Sequence, residues 1–479
     1  MIAQGVQPVP RWRTAGLVVP TAMVAAGGVG WLAAVDPRYA VAACATMIAV
    51  PAALFRPKLI VYLLILTIYA STFQISDVTA QRLAAPLAGI AILSYLVHNL
   101  SFRPRFDRLT VAIAIAYALL ALASASWTVS LSGSIYALSS LSISLAFAGV
   151  FALLVQGPAD LKRMIWLTAI GSGILGLWWA DSFHHGTFRG ANIAGDPNFY
   201  SVLQVVALPL ILALAAWSRP LPRLVLYGIA AVAAVSIPAS LSRGGMVALL
   251  VVVLLVAASP ARGLFGTIRQ KLAVYAGVAV IMAAVVAYAG DDLANRFALL
   301  ASDPSGGAGR ADLALAAAHG FSEHPVAGLG YGGFVTSSFA LLRDTPGVFL
   351  LAHLRYQDYP GQQVHNTYLE SLVELGVPGL LLFLALLLAA ARSLVRSARR
   401  ARATGDRFVE GVATALLIGL AAFSVSSFTI STETSRVLWL LIGLSLALSA
   451  MTAPPSVRTN RGQTPIVVQT NPEVEDPRA

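Results

Sequence analysis

Long apolar runs separated by brief polar punctuation dominate the chain. A membrane-spanning helix needs about 20 mostly apolar residues. Runs of that kind fall near 14–35, 39–55, 58–75, 82–98, 109–126, 136–155, 161–180, 197–216, 222–240, 244–258, 271–290, 366–391, 408–429 and 434–452. Two are short (39–55 and 244–258), and 136–155 is rich in serine. The pattern predicts an all-α polytopic membrane protein of about 12–14 transmembrane helices. One polar stretch, Asp291 to Gln363, breaks the rhythm and is too long to be structureless in a compact protein. Within it Ala311–Gly320 predicts a short helix, and Tyr356–Gln363 an irregular approach to His365. The expected organisation is therefore an N-terminus over 1–13, a helix bundle over 14–290, a loop over 291–365, C-terminal spans over 366–452 and a disordered tail over 453–479.

Composition agrees with the pattern. Of the 479 residues 58% are hydrophobic and only 11% charged, with a mean hydropathy of +0.77, whereas a soluble domain carries roughly 25% charged residues. The net charge of +11 would suit nucleic acid if it were clustered, but it sorts by loop. Twenty of the 32 Lys and Arg residues fall in the N-terminal segment and in alternate inter-span segments, including Arg56 and Lys58, Arg103 to Arg108, and Arg392 to Arg407. By the positive-inside rule these segments and both termini are cytoplasmic, and the long loop is extracytoplasmic. Nucleic acid is thereby excluded as a partner. Arg11 and Arg13 before the first run predict a signal-anchor. The single cysteine, Cys44, forbids an intrachain disulfide and is expected to be a small buried hydrophobe.

Four outward places combine charge with backbone freedom. The first is Asp181–Asn198, with His184, His185, Arg189 and Asp196-Pro197-Asn198. Asp196-Pro197 suits a helix start, so Asp196 is expected to be a cap. Without further Cys or His at ligand spacing, no metal site is expected. The second is Ser242-Arg243-Gly244-Gly245, where an arginine and two glycines opening a helix suit a phosphate, or else a snorkelling arginine at a tight turn. The third is the glycine run ending in Gly309-Arg310, which lacks the Gly-Lys-Ser/Thr of a nucleotide loop. His324-Pro325 and the glycine-rich turn Gly328–Phe334 follow, with His324 expected to be structural.

The fourth place is His365-Asn366-Thr367-Tyr368-Leu369-Glu370, at the entrance to an apolar span. In a helix Asn366, Glu370 and Glu374 form one polar stripe. Such groups are costly in lipid and are expected to face protein or a wet cavity, unless the segment is an ordinary interfacial turn in water. A histidine can remove a proton from an acceptor hydroxyl near neutral pH, and arginines can stabilise charge on a departing phosphate.

These motifs, in this order, resemble the O-antigen ligase / O-antigen polymerase superfamily. The resemblance runs from about Asp196 to Ala390 and includes Gly376-Val377-Pro378-Gly379-Leu380. It implies a GT-C-like inverting glycosyltransferase that takes a glycan from a polyprenyl-diphosphate carrier to a lipid, glycan or protein acceptor, with no metal or other cofactor. His365 would then be the general base, and Arg243 and Arg310 would hold the diphosphate; Asp196, Asn198, Arg189, Asn366, Glu370 and His324 are further candidates. The sequence departs from the family five residues after Arg310, where an aromatic is common and Leu315 stands, which bears on how the loop helix packs. A flippase for a lipid-linked glycan would expect charges deep within several spans, which are nearly free of them here. A scaffold without chemistry would leave the coincidence of motifs unexplained.

Overall fold

The computed structural model describes residues 37–70, 74–75, 78–100, 104–184, 196–259, 264, 267–302, 309–349 and 361–454. They form fifteen helices of two or more turns: α1 (Pro37–Phe55), α2 (Lys58–Tyr69), α3 (Ala80–His98), α4 (Arg108–Ser124), α5 (Leu131–Leu154), α6 (Pro158–His184), α7 (Pro197–Ala216), α8 (Pro220–Ala239), α9 (Arg243–Ala258), α10 (Ile268–Ser302), α11 (Arg310–Glu323), α12 (Gly333–Asp344), α13 (Thr367–Ala403), α14 (Arg407–Ser426) and α15 (Arg436–Met451). A two-residue antiparallel ladder, β1 (Gln74–Ile75) with β2 (Val78–Thr79), is the only sheet among the described residues. Thirteen of the fourteen predicted runs correspond to helices, and 14–35 lies outside the described residues. Among the described residues six helices are long and apolar enough to cross a membrane by the strict measure of length and composition. The protein is an all-helical polytopic membrane protein.

Helix α7 is the axis of the bundle. Its apolar residues cover every face, which marks a helix surrounded by others, and from Tyr200 to Ala216 all its residues are buried. Helices α6, α8, α9 and α14 sheathe it. Asp196 accepts hydrogen bonds from the backbone N–H groups of Asn198 and Phe199 at 2.6 and 3.0 Å, with Pro197 in the first turn, so the expected cap forms.

Four local expectations are corrected. The loop predicted to begin at Asp291 begins later, because α10 continues to Ser302; helix formation needs no apolar face once the chain has left the span. The span predicted over 366–391 is not one unbroken helix, because Gly376 (φ 65°, ψ −166°) breaks α13, whereas Asn366, Glu370 and Glu374 all lie before the break and share one stripe as expected. A Cβ there would strike the Val326 carbonyl, and Val377 N–H donates to Pro325 O at 3.0 Å. The run 58–75 ends as a helix at Tyr69 and gives way to the short ladder. Cys44 is exposed rather than buried, because α1 packs on α2 and α3 and its remaining face is uncovered by described residues.

The segment between α10 and α13 carries its own small core. Leu313, Ala316 and Ala317 of α11 and Phe334, Leu341 and Leu342 of α12 close on Val364 and Val373, which flank the start of α13. Leu315, the departure from the family pattern, is 47% exposed and contributes nothing to this core. The Gly328–Gly333 turn joins the two layers: Leu329 and Gly330 N–H donate to the Val373 and Glu374 carbonyls, both at 2.9 Å. Val129 N–H donates to Leu329 O, Tyr331 N–H to Ser124 Oγ and Trp127 Nε1 to Ala327 O, docking the same turn on the α4–α5 connection.

Gly376→Ala forces a side chain into left-handed backbone, at a cost of about 1–3 kcal/mol, and against a carbonyl as well. The midpoint of thermal unfolding in detergent should fall by several degrees; an unchanged midpoint would show that the break is not required.

Candidate functional site

His365 sits between two anchors. Val364, 2% exposed, belongs to the loop core. On the other side Asn366 caps α13, its Oδ1 accepting from Tyr368 and Leu369 N–H at 3.0 and 3.2 Å. Thr367 N–H donates to Ser427 O at 2.9 Å and its hydroxyl to Ile430 O at 2.7 Å, with Thr432 Oγ1 at 2.8 Å. Tyr368 Oη donates to Ser424 O at 2.7 Å. The chain turns between these anchors by placing His365 in left-handed backbone (φ 55°). Among the described residues only Leu241, also at φ 55°, shares that conformation outside glycine. Leu241 immediately precedes Ser242-Arg243, so both non-glycine exceptions fall at candidate motifs, where strained backbone tends to collect.

Hydrogen bonds and close packing tie these motifs together. Ser242 Oγ donates to Asn198 Oδ1 at 2.9 Å and accepts from Gly245 N–H at 3.1 Å as the cap of α9. Ser201 and Ser240 hydroxyls lie 2.9 Å apart. Gly244 packs so closely on Thr429 that a Cβ would overlap its side chain, and Gly245 packs likewise on Ser201. The starts of α7 and α9 therefore meet the α14–α15 connection that also holds Thr367. Arg243, half-buried, opens α9 at this junction.

The electrostatics of His365 link the loop to this junction. Burial holds its pKa below the ordinary value near 6.5, and the Arg310 guanidinium lowers it further, while the Asp196 carboxylate acts in the opposite sense. Arg310 and Asp196 thus both lie within electrostatic reach of the imidazole. Gly309 in left-handed backbone (φ 77°) starts α11 at Arg310, and the α11 core contacts bring that end to Val364. Among the described residues His365 Nδ1 is buried without a hydrogen-bond partner. The imidazole is neutral near pH 7 and can accept a proton.

The remaining candidates divide. Glu370 (3% exposed) and Glu374 (2% exposed) face protein. Glu374 accepts from Gly332 N–H at 2.8 Å and Phe334 N–H at 3.2 Å, so it holds the glycine turn rather than a substrate. Glu370 lies within electrostatic reach of Glu433, a buried residue of the α14–α15 connection whose carboxyl is held above the ordinary range by burial, and Oε2 of each is buried without a hydrogen-bond partner among the described residues. His324 is exposed at the end of α11, its backbone closing the turn to Gly328. At 1.5 Å per residue the helix separates it from Arg310 by roughly 20 Å, and it does not join the cluster. Arg189, His185 and the glycine run before Gly309 lie outside the described residues. Among the described residues no group of three His, Cys, Asp or Glu side chains could hold a metal ion.

Sequence reasoning missed the connection from Ser427 to Ser435, which supplies Thr429, Ile430, Thr432 and Glu433. Its signal was present: a run of Ser, Thr and Glu between two apolar spans, followed by Arg436.

Fold and site together define a multi-span membrane protein whose polar residues converge at one rim of the bundle. Residues 228–384 match the family model described as O-antigen ligase (Wzy_C), so this segment of the chain is similar to that family. No curated protein matches the chain. The matched segment contains Arg243, Arg310 and His365; Asp196 and Asn198 precede it, and Glu433 follows it. The domain points to a surface-polysaccharide ligase or polymerase kind of function, with a lipid-linked glycan and an acceptor as partners.

The rate of a reaction that uses His365 as a base should fall on acidification through a pKa below about 6.5 and stay flat above it. Asp196→Asn preserves a competent cap but removes the charge that raises the histidine pKa. The acidic limb of its pH–rate profile should move lower still, and an unmoved limb would uncouple the two residues.

Proposed function

We propose that the protein is an inverting, metal-independent glycosyltransferase that moves a glycan from a polyprenyl-diphosphate carrier to an acceptor hydroxyl. The reaction takes place at the outer face of a bacterial cytoplasmic membrane, with both termini in the cytoplasm. The observation that supports this most is the setting of His365: a half-buried imidazole whose pKa is lowered by burial and by Arg310, within electrostatic reach of Asp196, beside the Thr367 anchor on the α14–α15 connection that also meets Gly244.

His365 takes the proton from the acceptor hydroxyl as its oxygen attacks the anomeric carbon. The bond from that carbon to the diphosphate oxygen breaks, and the bonding pair leaves with the polyprenyl diphosphate. Attack opposite the leaving group inverts the anomeric centre. Arg243 and Arg310 stabilise the charge that grows on the diphosphate, a role suited to planar, permanently charged guanidinium groups. Asp196 and Asn198 hold the start of α7 against Ser242, which sets where Arg243 emerges. The acceptor is a lipid, a glycan or a protein, so ligase, polymerase and protein O-oligosaccharyltransferase chemistry share this mechanism.

His365→Ala should abolish transfer in proteoliposomes supplied with lipid-linked glycan and acceptor, while the protein still elutes as a folded species; near-normal turnover would remove the base assignment. Arg310→Lys should weaken donor affinity about tenfold or more, since an ammonium cannot reproduce the fork; donor titration with unchanged affinity counts against the contact. Chelator should leave the rate unaltered, and a requirement for divalent metal would point to other chemistry.

A further inference from the structure

At the end of the bundle away from His365, a cavity of about 390 Å³ opens between the start of α4, the late turns of α13 and the end of α15. Arg105, Arg108, Arg392, Arg396 and Arg400 line it, with Asp107 as its one carboxylate. That carboxylate is already engaged. It accepts from Thr110 N–H at 3.1 Å and Thr110 Oγ1 at 2.9 Å, and it pairs with Arg396 at 3.6 Å and Arg392 at 3.9 Å. Arg105 donates to Pro454 O at 2.6 Å and closes one wall.

Ordinary topogenic charge does not account for this arrangement. The positive-inside rule places arginines beyond the membrane edge but does not gather them around one cavity. Arg392, Arg396 and Arg400 recur every four residues on one face of α13, a spacing at which like charges weaken a helix. Of these three only Arg400 lies in the last turn, where the helix dipole favours a cation. Arg108 opens α4, where the dipole disfavours one.

A second cavity shows what kind of anion fits. An almost wholly apolar groove of about 350 Å³ shares Phe106 with the basic cavity and runs between α4, α5 and α15, past Ala118 to Leu119. From Phe106 to Leu119 at helical rise it extends roughly 20 Å into the bundle. A basic cavity continuous with an apolar groove matches a phosphate head group joined to an acyl chain, and basic pockets between spans are known devices for holding acidic lipid head groups.

We propose that this composite site binds an anionic phospholipid of the leaflet at that end of the bundle, its phosphate among the arginines and one acyl chain in the α4–α5–α15 groove. The site is separate from the proposed transfer chemistry, so neither stands or falls with the other.

The test is lipid retention by the purified full-length protein, followed by native mass spectrometry with phosphatidylglycerol, phosphatidylethanolamine of the same chains, and inorganic phosphate as probes. Phosphatidylglycerol should be retained at least tenfold better than phosphatidylethanolamine. Arg392→Gln with Arg396→Gln should lose about tenfold of that retention. Asp107→Asn keeps the cap of α4 but deletes the competing charge, and should raise retention. Ala118→Phe should weaken lipid binding by filling the groove without touching the arginines. Equal retention of both lipids, or no gain in Asp107→Asn, would overturn the proposal. So would displacement of the lipid by millimolar inorganic phosphate, which would mark a site for a soluble anion. If phosphatidylglycerol bound only after removal of residues 455–479, the acidic tail residues Glu473, Glu475 and Asp476 would be the occupant, and the proposal would fail.

Discussion

The hydrogen bonds of Thr367 hold the site together. A helix that begins at a membrane rim must satisfy its first backbone groups within the protein, since lipid offers no partners. Here Asn366 takes two of those N–H groups, and Thr367 reaches across to the carbonyls of Ser427 and Ile430. With both flanks pinned, His365 is left to make the turn in left-handed backbone. The same connection presents Thr429 to Gly244, which admits no side chain, and so fixes the start of α9. Ser242 then reaches Asn198 and fixes the start of α7. One polar crossing thus aligns three segments that are far apart in the chain.

The buried carboxylates serve this frame in different ways. Glu374 binds the backbone N–H groups of Gly332 and Phe334, and so joins the loop layer to α13 just before the break at Gly376. Glu370, one turn earlier, meets Glu433 across the junction. Burying such groups is costly unless they are paired; Glu374 meets that condition by linking two elements, whereas Oε2 of Glu370 and of Glu433 is buried without a partner among the described residues.

Helix α13 is also the element that separates two electrostatic tasks. After the break at Gly376 it runs on from Val377 to Ala403, roughly 40 Å at helical rise, beyond the ~30 Å of the hydrocarbon core. Its first turns carry the histidine and carboxylates; its late turns carry arginines that meet Asp107 of α4 and Glu410 of α14. The residues proposed for transfer and those proposed for an anionic head group therefore lie toward opposite ends of α13, on either side of the break at Gly376.

Local pattern in the sequence determined the helical class, the positions of the described spans, the cap at Asp196, the polar stripe of Asn366, Glu370 and Glu374, and the motifs around Arg243, Arg310 and His365. These follow from apolar run length and from residue types whose backbone preferences are short-range. Only the tertiary structure decided which motifs meet. Arg310 comes to His365 because Leu313, Ala316 and Ala317 pack on Val364 and Val373, while Arg189 falls outside the described residues and His324 lies exposed at the opposite end of α11. The break at Gly376 and the contribution of Thr429, Thr432 and Glu433 were equally hidden. Each depends on a close approach between segments distant in sequence, and hydrophobic periodicity records which face of a helix is buried but not what buries it.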